Sequence, residues 1–441
     1  MIEKYLVKKI TEPVDWKVTV PGSKSMTNRA LLMAALSAGT VRVEGVLFSD
    51  DSRHFLACLV ALGFTVEIEE EKKCVTVTGC GGRIPRGEAV IDVGSAGTAA
   101  RFLAAMLGFS DGCYEIRCSA QMKRRPMAEL FDLLSGAGAK ITFLEEEGHL
   151  PVRITGCRYA RADKTAGETP RELSLDITKS TQFLSALLLI APMVPEGMKI
   201  HITSEKTDGS YIRITRKMMQ EFGVSVAFDG RDYEVPCRSS YRKETYMVEP
   251  DMSAACYFYA AAAVTGGRAL VRHVHMDNTQ GDLRFLEVLE RMGCKADDTP
   301  EGVRVTGPAD GALRGITVNM NDFSDQALTL AAIAPFADAP VRIEGIGHIR
   351  GQECDRIHAI QTNLTALGIR CEEEETAVTI YPGSPHGGNV ETYDDHRVAM
   401  AFSLVGLRTD GIVIENPACC RKTFENYFTV LSELTGKKTE A

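Results

Sequence analysis

Basic residues are the minority charge: 50 Lys and Arg stand against 59 Asp and Glu, for a formal net charge of −9. Counterion-release binding needs a basic face, so neither nucleic acid nor an anionic membrane is expected as a partner. No two of the 13 cysteines form a C-x-x-C pair. That excludes the usual zinc-ligand spacing and a disulfide framework, so no metal is expected and the cysteines read as small buried hydrophobes in a reducing cytoplasm. The longest apolar runs, around Leu184 to Pro195 and Ala254 to Val264, fall short of the roughly 20 residues a membrane span requires. Charges interrupt every apolar stretch of residues 1–16, so no export signal is expected. An acidic protein can still hold small anions, which need only a local cluster of Lys and Arg.

A chain of 441 residues exceeds what one hydrophobic core usually supports, which predicts two or more sub-cores. One pattern recurs along it: an amphipathic helix, a glycine, then a short strand. The instances are FLACLVALGFTVEI with Gly63, LFDLLSGAGAKITF with Gly138, ITRKMMQEFGVSVAF with Gly223, FLEVLERMGCKA with Gly293, IQTNLTALGIRCEE with Gly368, and a degenerate YFTVLSELTGKK with Gly436. Apolar residues at helical spacing closed by glycine match a helix stop. The glycines fall roughly 70–85 residues apart, too long a period for a thin solenoid. About six α/β units are predicted, three to a domain. The polar, turn-rich segment 229–247 precedes the apolar ACYFYAAAAV, which places a linker near Val248, with a second crossing around Pro21 and Gly22.

Several helix beginnings carry cations and hydroxyls. In VPGSKSMTNRALLMAALSAGT, Lys24 and Arg29 sit where backbone N–H groups and the macrodipole already favour anions. A P-loop fails here, because no glycine directly precedes Lys24. The turn GSAGT leads into a helix carrying Arg101, QMKRRP sets Lys123, Arg124 and Arg125 before Pro126, and Lys179, Ser180, Thr181 and Gln182 open another apolar helix. Farther on, Asp322 and Asp325, then Glu353, Asp355 and Arg356, then Asp394, Asp395, His396 and Arg397, and finally Arg421 and Lys422 stand at helix starts. Each cluster alone reads equally as caps or a solvated turn. Their recurrence points to a cationic cleft for phosphorylated or carboxylated substrates.

PGSKSMTNRALL, GSAGTAARFL, MKRRPM, STQFLSALL, QGDLRF, ECDRI, DDHRVAMAF and KTFENYF occur in this order, and the run resembles the 5-enolpyruvylshikimate-3-phosphate synthase family from about Lys17 to Phe428. The resemblance implies an α/β fold of two similar domains, each of three βαβαββ units, the inside-out α/β barrel of the enolpyruvyl transferases, hinged around a central cleft. Residues 1–21 and 249–441 would form a discontinuous domain and residues 22–248 a central one. It further implies transfer of the enolpyruvyl group of phosphoenolpyruvate to shikimate 3-phosphate, without cofactor or metal, by a cytoplasmic monomer.

By the same resemblance Lys24, Asp325 and Glu353 would be catalytic. Lys24, Ser25, Arg29, Ser180, Thr181, Gln182, Tyr211, Asp325 and Gln352 would bind shikimate 3-phosphate. Lys24, Gly97, Arg125, Gln182, Arg356, Arg397 and Lys422 would bind phosphoenolpyruvate. The chain departs from the common pattern at Gln352, where many members have Lys, at His348 for Asn and at Phe102 for Pro; Ser204 or Ser210 would partner Tyr211. Two alternatives are the sister transferase acting on UDP-N-acetylglucosamine, whose Lys-Asn pair and loop cysteine do not match Lys24-Ser25 and QMKRRP, and a non-catalytic binder of phosphorylated metabolites.

Overall fold

In the computed structural model, which describes residues 4–157, 169–308 and 312–436, the glycines Gly63, Gly138, Gly223, Gly293 and Gly368 take φ between +83° and +102°. That region strains an L side chain and leaves glycine at ease. Gly63 N donates to Val60 O (3.0 Å) and Phe64 N to Leu59 O (3.1 Å), the paired closure of a Schellman stop. Gly368 repeats it, with Gly368 N on Thr365 O and Ile369 N on Leu364 O. Each of the five helices therefore ends in the same way and turns into a strand. The segment after Gly436 lies outside the described residues.

The strands form six separate sheets, five of four strands and one of three, and among the described residues none closes on itself. Strand Glu88–Asp92, helix Gly97–Gly108, strand Cys113–Arg117, helix Ala128–Gly136 and strands Lys140–Phe143 and Val152–Thr155 make one βαβαββ unit. Its first two strands are parallel and its last two antiparallel. The helices that follow first strands are buried on all sides: every residue of Gly97–Gly108 is covered, as is nearly all of Met252–Thr265. Strands such as Asp15–Val18 and Val152–Thr155 instead alternate exposed and buried residues. Helices thus fill the core and sheets face outward, the inside-out arrangement.

The chain divides into two compact units, Met1–Pro21 with Pro250–Ala441, and Gly22–Glu249. Each has its own continuous core. At both crossings a strand stays behind while its helix goes ahead. Strand Asp15–Val18 pairs with Arg268–Arg272, although the next helix in sequence, Lys24–Leu36, belongs to the other unit. Thr245–Met247 pairs with Thr40–Glu44 in the same manner. No helix among the described residues is long and apolar enough to cross a membrane.

Candidate active site

Within Gly22–Glu249, three helix beginnings are tied together. Neither Ser23 nor Ala96 caps its helix with a side chain, which leaves first-turn N–H groups of Lys24–Leu36 and Gly97–Gly108 available to an anion. Ser180 caps its own helix, accepting from Gln182 N at 3.2 Å. Asn28 Nδ2 donates to Thr98 Oγ1 (2.6 Å) and Arg101 Nη1 to Gln182 Oε1 (2.9 Å). These bonds bring the segments of Lys24, Gly97 and Gln182 side by side. Arg125 joins them: a Cβ built on Gly97 would lie 2.5 Å from Arg125 Nη1 and 2.7 Å from Arg101 Nη1.

Arg29 is 1% exposed. Its Nε donates to Thr215 Oγ1 (2.8 Å), Nη1 to the Ser25 carbonyl (2.9 Å), and Nη2 to Ser185 Oγ and the Tyr211 carbonyl (both 3.3 Å). The rings of Phe102 and Tyr211 flank the guanidinium at 5.2 and 5.8 Å. None of these partners is a carboxylate, and burial pushes the Arg29 pKa down to about 10. A cation buried among neutral groups favours an incoming anion. Lys24 is held differently, with Nζ 3.3 Å from Asp51 Oδ2.

Within Met1–Pro21 and Pro250–Ala441, a second group centres on Arg356, also 1% exposed. Its Nε donates to Asp395 Oδ2 (2.8 Å), Nη1 to Asp325 Oδ1 (3.0 Å) and to Gln352 Oε1, and Nη2 to Glu353 Oε2 (3.0 Å). Asp325 reaches on to Arg397 Nη2 (2.9 Å), and Glu353 to Lys422 Nζ (3.1 Å). Two carboxylates therefore each bridge two cations. Burial works against the Arg356 charge, but Asp395, Glu353 and Asp325 outweigh it and hold the guanidinium more firmly protonated than usual. Local backbone aims the set: Asp395 caps its helix by accepting from Arg397 N, and Tyr393 and Asp394 before it sit at φ +53° and +56°. Non-glycine residues rarely adopt that conformation unless their surroundings impose it.

The candidate binding and catalytic residues divide between the two units. Lys24, Ser25, Arg29, Gly97, Arg125, Ser180, Thr181, Gln182 and Tyr211 lie in one unit, and Asp325, Gln352, Glu353, Arg356, Arg397 and Lys422 in the other. Of the three adjacent cations in QMKRRP, Lys123 turns to Glu145 (2.6 Å) and Arg124 is exposed. The Ser204 hydroxyl is taken up by its own loop, donating to the Lys206 carbonyl (2.8 Å) and accepting from Ile177 N. Sequence reasoning left Asp395, Asp51, Asn28 and Thr215 without a role. Only Asp395, beside Arg397 in DDHR, carried a local signal.

A family model described as EPSP synthase (3-phosphoshikimate 1-carboxyvinyltransferase) matches residues 8–431. The 3-phosphoshikimate 1-carboxyvinyltransferase of Trichormus variabilis is 41% identical over 429 residues, covering 97% of this chain and 98% of that protein. That of Yersinia pseudotuberculosis is 38% identical, with 96% of each covered. Among solved structures, an EPSP synthase from Acinetobacter baumannii superposes with a TM-score of 0.78 at 25% identity, covering 98% of this chain and 97% of that one.

Proposed function

This chain belongs to the EPSP synthase (3-phosphoshikimate 1-carboxyvinyltransferase) family, and on that premise we infer that it transfers the enolpyruvyl group of phosphoenolpyruvate to the 5-hydroxyl of shikimate 3-phosphate, releasing phosphate. The observation that carries the reading is the ion-pair group in which Arg356 joins Asp325 and Glu353 to Arg397 and Lys422. The chemistry requires such a set. The 5-hydroxyl loses a proton as its oxygen bonds to C2 of phosphoenolpyruvate, and C3 gains a proton to become a methyl. In the second stage C3 gives that proton back and the C2–O bond to phosphate breaks.

Arg356, Arg397, Lys422 and Arg125 would take the phosphate and carboxylate of phosphoenolpyruvate, for which arginine forks are suited. Lys24, Ser25, Arg29, Ser180, Thr181, Gln182, Tyr211 and Gln352 would take shikimate 3-phosphate. When the donor draws Lys422 and Arg356 to its own charges, Glu353 loses the cations that favour its ionised form and sits beside negative charge. Protonation then becomes favourable, and Glu353 can deliver the proton to C3. Asp325 would receive the proton of the 5-hydroxyl. The enzyme is read as a cytoplasmic monomer, which light scattering on the eluted protein tests for mass. Supplying both substrates should yield phosphate stoichiometric with the enolpyruvyl product; phosphate from neither pair member alone and none from both would refute the reading.

A further inference from the structure

Asp282, in the turn Gly281–Arg284, is a carboxyl that the reaction as described leaves unused, yet it is only 6% exposed. Its Oδ2 accepts from Gln326 Nε2 at 2.7 Å and from Ser253 Oγ. Gln326 is fully covered and is fixed at its other end, Oε1 accepting from Thr329 Oγ1 at 2.9 Å. Since Gln326 directly follows Asp325 in the turn Ser324–Gln326, the Asp282 carboxyl fastens the backbone that aims Asp325. The groups facing Asp282 come from three elements. Ser253 and Cys256 lie on the helix Met252–Thr265, Asp325 and Gln326 on their turn, and Arg397 on the helix His396–Arg408.

We propose that Asp282 is a positioning residue for Asp325, holding its turn through Gln326 and governing, through its own charge, how readily Asp325 accepts a proton. Burial pushes the Asp282 pKa up to about 6 and the neighbouring Asp325 charge adds to the rise, while Arg397, Ser253 and Gln326 pull it back. An ionised Asp282 makes Asp325 a stronger base, because two like charges resist each other and a proton relieves them. The inference rests on Asp325 being the proton acceptor.

The test is the pH profile of turnover in Asp282→Asn, which keeps an acceptor for Gln326 and removes the charge. Without the second carboxylate Asp325 holds its proton less well, so the acidic limb of kcat should move down by about half a pH unit or more, with the plateau lowered by roughly tenfold. Because Asp282 touches neither substrate in this scheme, both KM values should stay within about threefold of wild type. An acidic limb and plateau identical to wild type would overturn the proposal. If Asp282→Asn fails to fold, Ser253→Ala carries the test. It withdraws one donor from the carboxyl, favours its neutral form, and should shift the limb in the same direction; an unmoved limb again overturns the proposal. Asp325→Asn, assayed alongside, separates the two levels. Full activity in that variant would remove the premise, whereas an inactive Asp325→Asn beside an unchanged Asp282→Asn removes only this inference.

Discussion

Arg356 donates from Nη1 to Asp325 at 3.0 Å, and the bond joins a guanidinium that is 1% exposed to a carboxylate that also holds Arg397. The arginine is thereby the common member of a buried charge group, and the balance of that group decides what a substitution does.

Arg356→Ala should leave Asp325, Glu353 and Asp395 facing one another without their shared cation. Removing one partner of a buried pair typically costs about 3–5 kcal/mol. A large fall in melting temperature is expected, together with loss of measurable phosphate release. Arg356→Lys restores the charge but not the fork, so it should recover part of the stability and little of the activity. Calorimetry and a phosphate assay on both variants check this.

Gly97→Ala places its Cβ against the ends of Arg125 and Arg101, at 2.5 and 2.7 Å. Those are flexible tips, so the fold should survive and the Arg125 guanidinium should move. A charge-assisted hydrogen bond is worth about 1.5–3 kcal/mol, which corresponds to a rise in KM for phosphoenolpyruvate of roughly tenfold or more. The KM for shikimate 3-phosphate should change far less. Steady-state kinetics with each substrate varied in turn would show it.

Glu353→Gln keeps the size of the side chain beside Arg356 and Lys422 but cannot release a proton to carbon. General acid–base groups contribute about 10²–10⁴-fold, so kcat should fall by that order with both KM values little altered. Solvent deuterium entering the methylene of phosphoenolpyruvate should slow in parallel. Undiminished turnover in this variant would remove Glu353 from the role.

Arg29→Met removes a buried cation that has no carboxylate among its bonded partners. The side chains are similar in length, so stability should hold or rise while affinity for shikimate 3-phosphate collapses, a separation that calorimetry and titration detect. The pH dependence has a definite sign. With the folded pKa lowered to about 10, the folded protein binds fewer protons than the unfolded chain from about that pH upward. Wild type should therefore gain stability relative to Arg29→Met as pH rises through about 10.

The repeat was legible because a Schellman stop is local. Gly63, Gly138, Gly223, Gly293 and Gly368 each need only the preceding turn and a positive φ, so helix, glycine and strand appear in the letters themselves. Cations at helix starts were legible for the same reason. The roles attached to them came from resemblance, since nothing local separates a clamp from a solvated turn. In QMKRRP, adjacent residues on a helical turn point about 100° apart, and only the fold sends Lys123 to Glu145 while Arg125 approaches Gly97.

By itself, then, the sequence determined the unit count, the helix ends and the positions of the charged clusters, all set by interactions within a few residues. The tertiary structure alone decided which charges meet. Arg356 finds Asp325 from 31 residues away and Asp395 from 39, Arg29 finds Thr215 from 186, and a strand at each crossing pairs in one unit while its following helix packs in the other. Burial is a property of the packed whole. It turns Arg29 into a cation surrounded by neutral partners and Arg356 into a hub, although both are arginines near the start of a helix.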